Sequence, residues 1–561
     1  MVTALTQFAG YLAKKVWLRY ALFLAAALAA IWISGYYFGT FDQVIHIPFL
    51  KKFADPGLYP GDAFLDLRNE HYSYFWLMFL PAYRAGVLEP VMFAVHFLTT
   101  WGLFAMFWEL TSALFHNPLA NLLSVCMLVF PHLGMPGFQI IEFSLLNRTF
   151  VLPFLLGAMV LYLRRKTLWA FLILGVMFNL HAIYSGFVLM MFLVDGAVRW
   201  REIGWKRILA GLALFGLAAL PVFLWQSVGV PLDLTLRPDL LKLSGSALLA
   251  GVYYMFSTVP QIWLGTLHGA ATLAFYLLTQ RMRPTAHERV LTHFMLAIGL
   301  VLLVQLVTTY WLPVTLVLQL QILRIGVFLM IIGYISFAGY LATALQQGRL
   351  SGLAGGLVVF AYVTYVSPIP PLVMLALNRW LARHPWRQRA GAVLLVCLHA
   401  ATLVFGLKSG FWSPGYFLYE PKTAWTEVQD WARENTPREA MFITPPHILM
   451  HYIPDWRTFS ERGTLATLVE IFEFPHPGYL SYWQDRFETI APGAIERFNG
   501  NYFDTFRFTR GAYYSLSPQD YLLAAQKYSC RYLVVEKSHV QPFPVAYQNE
   551  GFVVYDLQGL N

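Results

Sequence analysis

Acidic and histidine side chains are concentrated in one short stretch that follows the first apolar run of the chain. Between residues 35 and 75 the sequence carries Asp42, His46, Asp55, Asp62, Asp66, Glu70 and His71. Charged residues make up only 12% of the 561 residues, so composition alone does not account for this density. Ionisable groups at the edge of a bilayer are expensive to desolvate, and they therefore indicate a functional site.

Asp42 lies a few residues beyond the first apolar run, which covers residues 17–38. A carboxylate at this place could take the proton of an acceptor hydroxyl as the hydroxyl attacks an electrophilic carbon. The alternative is an interfacial acid that caps a loop helix.

Asp62, Asp66 and Glu70 are spaced four residues apart, which on a helix would place them on one face. Such an acidic face could hold a divalent cation or orient sugar hydroxyls, and His46 or His71 could complete a ligand set. The alternative is the solvated face of an amphipathic surface helix.

Three further positions combine charge or an imidazole with an apolar surrounding. Arg324, preceded by Gln319 and Gln321, could form a forked contact with a lipid phosphate, or it could simply reach toward water. Glu142 and Arg148 precede another apolar run, where they could pair with each other or face a cavity.

His181 lies between two short apolar runs. It could contact phosphate or sugar, or it could be a hydrogen-bonded structural histidine.

The composition indicates a polytopic α-helical membrane protein. Hydrophobic residues make up 58% of the chain and the mean hydropathy is +0.54. The net charge of +9 arises from short basic clusters between apolar runs, where cationic residues set orientation, so it predicts no nucleic-acid partner. Three dispersed cysteines make neither a disulfide framework nor a zinc site.

Placing the basic clusters on the cytoplasmic side predicts about 13 crossings, a cytoplasmic N-terminus and a first extracytoplasmic loop over 39–87. The predicted spans are 17–38, 88–113, 118–134, 139–163, 167–181, 183–197, 207–226, 261–279, 290–310, 320–344, 350–366, 368–382 and 390–407. The pairs 167–181 with 183–197 and 350–366 with 368–382 are too short for two full crossings each, since a crossing needs about 20 residues. Helices that stop within the bilayer imply a cavity beneath them.

Residues 415–561 form a separate polar segment with alternating helix and strand patterns, which predicts an extracytoplasmic α/β domain after a transmembrane domain over 1–414. WTEVQDWARENTP predicts a helix ended by Pro437, and AMFIT predicts a strand. Ser517 followed by Pro518 predicts the start of a helix, and RYLVVE predicts a further strand.

Four segments together resemble the GT-C superfamily of membrane glycosyltransferases, and most closely its uncharacterised bacterial branch. They are the acidic first loop FDQVIHIPFLKKFADPGLYPGD, the short helix pair with FNLHAIYSGF, the late span with LQLQILRIGVFL, and the opening of the terminal domain, WTEVQDWARENTPREAMFITPP. The chain departs from many members of the superfamily in having neither adjacent acids nor an Asp-x-Asp motif in the first loop.

The resemblance implies a protein of the bacterial inner membrane that moves a sugar from a polyprenyl-phosphate carrier to an extracytoplasmic glycan, lipid or protein. It implies that Asp42, with Asp62, is catalytic, and that Arg324 binds the lipid phosphate. His46, His181, Glu142 and Arg148 are further candidates for substrate binding. Some members hold a divalent metal, for which the candidates here are Asp62 and Asp66. Two alternatives stay open: a non-catalytic membrane scaffold or assembly factor, and a glycolipid transporter or flippase.

Overall fold

The long apolar runs of the chain form helices. The structure is a computed structural model, and it describes residues 2–135, 137, 139–229, 232–282, 287–409, 412–448, 453–473 and 478–560. Within these residues, seven helices are long and apolar enough to cross a membrane. They are Val16–Ser34, Leu88–Phe115, Trp205–Ser227, Pro260–Gln280, Glu288–Tyr310, Ile322–Gln346 and Pro385–Lys408. The chain is therefore a predominantly helical, multi-pass membrane protein by the length and composition of its helices.

Six shorter apolar helices accompany the long ones in the described part of the chain. They are Pro118–Met127, Asn147–Leu163, Thr167–Phe178, Ala182–Val198, Gly352–Thr364 and Ile369–Ala382. The last four form the two short pairs that the sequence predicts. The helix predicted over 118–134 ends at Met127, because Pro131 and Gly134 interrupt the run, and the described residues between Leu128 and Leu146 form no helix. The predicted number of crossings stays a prediction.

The remaining helices lie in the connections and in the terminal domain. In the connections they are Val2–Lys14, Gln43–Ala54, Ala63–Asp66, Leu80–Arg84, Trp200–Ile203, Pro238–Ser246, Ala250–Tyr253 and Thr315–Leu320, with 3₁₀ turns at Leu67–Glu70, Trp76–Phe79 and Ile322–Ile325. In the terminal domain they are Ala424–Asn435, Trp456–Ser460, Tyr479–Ile490, Tyr502–Tyr514 and Pro518–Tyr528, with 3₁₀ turns at Leu468–Glu473 and Ile495–Arg497.

Two sheets are present in the described residues. β1 (Tyr36–Tyr37) pairs in parallel with β2 (Tyr416–Phe417), which ties the end of the first long helix to the start of the terminal domain. The terminal domain holds β3 (Met441–Ile443), β4 (Gly463–Thr464), β5 (Tyr532–Glu536), β6 (Val545–Gln548) and β7 (Phe552–Asp556). Their order is β4-β3-β5-β7-β6, with β3 parallel to β4 and β5 and the other pairs antiparallel.

The elements predicted for the terminal domain agree with the structure. The first predicted helix is Ala424–Asn435, and the strands predicted from AMFIT and RYLVVE are β3 and β5. The helix Pro518–Tyr528 begins after Ser517, whose side chain accepts a hydrogen bond from the backbone N–H of Asp520 at 3.3 Å. Local capping chemistry therefore predicted this boundary correctly.

A buried cluster of charges fastens the first loop to the terminal domain. Arg457 Nε donates to Asp62 Oδ2 at 2.6 Å, and Arg457 Nη2 donates to Glu470 Oε1 at 2.8 Å. Asp455 Oδ2 lies 3.7 Å from Nη1 of the same arginine, and the Phe64 ring lies 4.9 Å from its guanidinium carbon. We call Asp62, Asp455, Arg457 and Glu470 the Arg457 cluster; all four are buried.

A second contact lies beside the Arg457 cluster. Lys51 Nζ donates to Glu461 Oε1 at 2.8 Å and to the carbonyl oxygen of Thr458 at 2.9 Å. The Tyr59 hydroxyl donates to the carbonyl oxygen of Arg457 at 2.9 Å. The loop and the terminal domain are thus joined by charged groups that water does not screen.

Replacing Arg457 by glutamine should destabilise the protein strongly, because three buried carboxylates would lose their cation. Removal of one partner from a buried ion pair costs roughly 3–5 kcal/mol. The matched control is Arg531→Gln, whose pair with Asp556 at 2.7 Å is partly exposed and should contribute at most about 1 kcal/mol. Unfolding of the purified proteins in detergent measures both effects, and equal losses would contradict a clamping role for Arg457.

Candidate functional site

One arginine gathers two of the predicted acids. Arg148 Nε donates to Glu142 Oε1 at 2.6 Å, and its terminal nitrogens pair with Glu142 Oε2 and with Asp42 Oδ2. Arg148 and Glu142 are buried, whereas 22% of the Asp42 side chain is exposed. Asp42 is therefore the most accessible member of this group.

Local backbone geometry brings Asp42 to Arg148. Phe41 has a left-handed backbone, with φ of 56°, and Asp42 follows it immediately before the helix Gln43–Ala54. The Gln43 amide nitrogen donates to the carbonyl oxygen of Leu145 at 2.9 Å, and its amide oxygen accepts from the backbone N–H of Gly39 at 2.9 Å. Gln43 thus anchors the turn to the segment that leads into the helix Asn147–Leu163.

The side chain of Asp42 makes no capping hydrogen bond to its own helix. It is directed instead to Arg148, which lies in the first turn of Asn147–Leu163 and is 106 positions away in the chain. The local capping role that the sequence left open is therefore not the role that the structure gives to this carboxylate.

Arg324 adds a second positive charge near Asp42. It lies in the 3₁₀ turn Ile322–Ile325, directly before the helix Gly326–Gln346, and its guanidinium donates to the side chain of Gln321. Burial raises the pKa of Asp42, but the charges of Arg148 and Arg324 outweigh burial, so that this pKa lies below its usual value. Asp42 is consequently a carboxylate at neutral pH.

The two histidines have different surroundings. His46 lies one turn after Asp42, and its ring stacks on Trp76 with the centroids 4.5 Å apart. His181 precedes the helix Ala182–Val198, and its Nδ1 accepts from the backbone N–H of Tyr184 at 3.1 Å. The structure therefore gives His181 a capping contact, and it places His46 close enough to Asp42 to lower the pKa of that carboxyl.

Asp62, Asp66 and Glu70 do not form one acidic helix face, and this expectation was wrong. The α-helix in this region covers only Ala63–Asp66, and Asp62 has an extended backbone before it. Asp62 is buried in the Arg457 cluster, whereas Asp66 is largely exposed and accepts from Lys52 Nζ at 2.7 Å. The side chain of Glu70 lies outside the described part of the structure.

The described residues contain no group of three or more His, Cys, Asp or Glu side chains that could hold a metal ion. Asp62 and Asp66, the two metal candidates, are directed to different cations of the protein, Arg457 and Lys52. This donor set does not fit a divalent cation.

Sequence reasoning missed Gln43 and Arg457. Gln43 positions Asp42, and Arg457 occupies both oxygens of Asp62. Asp62 and Arg457 are 395 positions apart, so no local pattern links them. The only available signal was the unusual number of charges in each segment.

A comparison with known families places a match in the terminal domain. Residues 423–490 match a family described as a domain of unknown function, DUF6798. This segment contains Asp455, Arg457 and Glu470, and so it supplies the part of the Arg457 cluster that holds the first loop. No curated protein matches the chain.

Arg148→Leu should destabilise the protein by roughly 3–5 kcal/mol, because Glu142 would be left buried without a cation. The double variant Arg148→Leu with Glu142→Leu should lose less, since it removes both buried charges and replaces them with apolar side chains. Thermal unfolding in detergent measures the difference. Arg237→Leu is the control, because the pair of Arg237 with Asp239 at 2.8 Å is exposed.

If the double variant were as unstable as Arg148→Leu or less stable, the loss in Arg148→Leu would not come from a buried Glu142 carboxylate without a cation, contrary to this expectation.

Proposed function

We propose that this protein is a GT-C-like membrane glycosyltransferase of the bacterial inner membrane. It transfers a sugar from a polyprenyl-phosphate carrier to an extracytoplasmic acceptor, which is a glycan, a lipid or a protein. In this proposal the chain crosses the membrane about 13 times, and the terminal domain is periplasmic. The acceptor site then lies on the side of the membrane that holds this domain.

One observation carries the proposal. Asp42 is an ionised and partly exposed carboxylate, it lies just beyond the first long helix, and two arginines are close enough to lower its pKa. A glycosyl transfer from a lipid phosphate needs a base for the acceptor and positive charge for the leaving phosphate. In this proposal Asp42 supplies the base, and Arg324, whose charge helps to lower the pKa of Asp42, supplies the positive charge.

The proposed reaction is a direct displacement at the anomeric carbon. The acceptor oxygen forms a bond to that carbon while the bond from the carbon to the phosphate oxygen breaks. The electron pair of the broken bond stays on the phosphate, whose negative charge Arg324 offsets. Asp42 takes the proton of the acceptor hydroxyl, and the configuration of the sugar inverts.

The positions of the remaining charges agree with these roles. Arg148 keeps Asp42 ionised and fixes the direction of the carboxylate, and Glu142 balances the charge of Arg148. Because the pKa of Asp42 is low, the proton moves only when bond formation to the anomeric carbon has made the acceptor hydroxyl strongly acidic.

A second candidate is a non-catalytic membrane scaffold with the same fold. The observation that favours it is that Asp42 and Asp62 both pair with an arginine of the protein, as purely structural carboxylates do. In that case the Arg148 and Arg457 contacts hold the loop in place, and no substrate reaches Asp42.

Asp42→Asn should lower sugar transfer by roughly a hundredfold or more, since a positioned general base contributes about 10²–10⁴ to the rate. The measurement is incorporation of labelled sugar from a polyprenyl-phosphate donor in membranes that contain the variant. Asp66→Asn is the control, because Asp66 is exposed and pairs only with Lys52 and Arg68 in the described structure. Undiminished transfer by Asp42→Asn would show that Asp42 is not the base, whereas absence of transfer by the unmodified protein would favour the scaffold.

Arg148→Gln should move the acid limb of the pH–rate profile to higher pH. In the unmodified protein the pKa of Asp42 lies below its usual value, so the acid limb should lie at lower pH than the ordinary aspartate pKa of about 3.9. Without Arg148, less positive charge opposes the effect of burial on Asp42. The pKa of Asp42 therefore rises, and activity is lost at a higher pH. Arg148→Lys retains the positive charge and should keep the limb close to its original position.

The profile is measured as kcat/KM from about pH 3 to about pH 8, so that the acid limb of the unmodified protein is included. If the limbs of Arg148→Gln and the unmodified protein coincide, Arg148 does not control the ionisation of the base.

A further inference from the structure

An apolar groove runs along the outside of the helical bundle, and Asp42, Glu142 and Arg148 do not line it. Its volume is about 540 Å³, and it lies between the helices Leu88–Phe115 and Asn147–Leu163, with Ile173 of a third helix beside it. The lining residues recur every three or four positions, from Val95 to Glu109 on one helix and from Phe150 to Arg164 on the other. The groove is therefore formed by two matching stripes of side chains on parallel helices.

Small residues at facing positions create the space. A Cβ atom at Gly102 would meet Pro153 at 3.6 Å, and one at Gly157 would meet the sulfur of Met106 at 3.4 Å. Larger side chains at these glycines would fill the groove. The hydroxyl of Thr99 is already satisfied by the carbonyl oxygen of Val95 at 2.7 Å, so the wall offers little to a polar ligand.

The groove faces the surface that a bilayer would cover. Leu98 and Phe154, which line it, are 54% and 43% exposed in the isolated chain. Fourteen residues of helix span about 21 Å, and half of the hydrocarbon core is about 15 Å thick. The length suits one lipid chain and the start of its headgroup region.

One end of the groove carries an excess of positive charge. Glu109 lies 2.7 Å from Arg164 and 3.7 Å from Arg19, and Arg165 and Lys166 follow directly in the chain. Two arginines thus pair with one carboxylate, and half of the Arg164 side chain is exposed. This arrangement attracts an anionic headgroup at the same end where the groove meets the membrane interface.

We propose that this groove is a binding site for an anionic membrane phospholipid. One acyl chain lies between the helices Leu88–Phe115 and Asn147–Leu163, and the headgroup phosphate lies at Arg164 and Arg19. The site is separate from the proposed sugar transfer, and it binds a lipid that stays intact.

Native mass spectrometry of the full-length protein in detergent tests this site, with equal amounts of phosphatidylglycerol and phosphatidylcholine added. We expect phosphatidylglycerol to be retained in about fivefold excess, since one basic residue near a membrane surface contributes about 1 kcal/mol. Arg164→Gln should reduce the excess to near parity. Gly157→Leu should lower the retention of both lipids by blocking the groove.

Gly299→Leu is the matched control, because Gly299 is exposed on the helix Glu288–Tyr310 with no atom within 4 Å of an added Cβ. It should bind lipid as the unmodified protein does. If Gly157→Leu does not fold, Arg164→Gln decides the question, since its side chain is half exposed.

Three results would overturn the proposal. The first is equal retention of the two lipids by the unmodified protein. The second is equal lipid retention by Gly157→Leu and Gly299→Leu. The third is that an added polyprenyl phosphate displaces phosphatidylglycerol from the unmodified protein, and that Gly157→Leu abolishes the binding of this polyprenyl phosphate. That result would assign the groove to the donor lipid instead.

Discussion

The structure depends on buried arginines that hold carboxylates from distant parts of the chain. Arg148 joins Asp42 of the first loop to Glu142, and Arg457 joins Asp62 of the same loop to Asp455 and Glu470 of the terminal domain. A guanidinium removed from water is tolerated only when its charge and its hydrogen bonds are matched. Each arginine therefore fixes the loop against another element, one near the start of the loop at Asp42 and the other near its middle at Asp62.

The two charge clusters differ in the ratio of carboxylates to arginines, and this ratio distinguishes the roles that we assign to them. In the Arg457 cluster three carboxylates share one arginine, and burial raises the pKa of Asp455 and of Glu470. Near Asp42, Arg148 pairs with two carboxylates, Arg324 adds a second positive charge, and the pKa of Asp42 is lowered. A fully enclosed group with excess negative charge suits a structural clamp, whereas an ionised carboxylate with an exposed edge suits the proposed proton transfer.

The helix Asn147–Leu163 connects the proposed reaction site with the proposed lipid site. Arg148 lies in its first turn beside Asp42, and Arg164 follows its last residue beside Glu109. Between them, Gly157 opens the groove toward the bilayer. A 17-residue helix spans about 26 Å, so the two sites lie near opposite edges of the apolar layer. One short helix would thus anchor the protein to lipid at one end and hold the reactive carboxylate at the other.

The sequence alone determined those features that depend on local composition. Long apolar runs predicted helices such as Trp205–Ser227, and Ser517 with Pro518 predicted the start of Pro518–Tyr528. The short helix pairs followed from the small spacing between basic clusters. Each of these elements is determined by residues within the same helical turn or the same apolar run.

Only the tertiary structure decided which charges meet. Asp42 and Asp62 are similar in sequence, since both are acids of the first loop, yet one pairs with Arg148 and the other with Arg457. The spacing of Asp62, Asp66 and Glu70 predicted a shared helix face, but the helix there has only four residues. Partners 106 and 395 positions apart are selected by the cost of burying a charge, which depends on the assembled fold and leaves no local pattern in the chain.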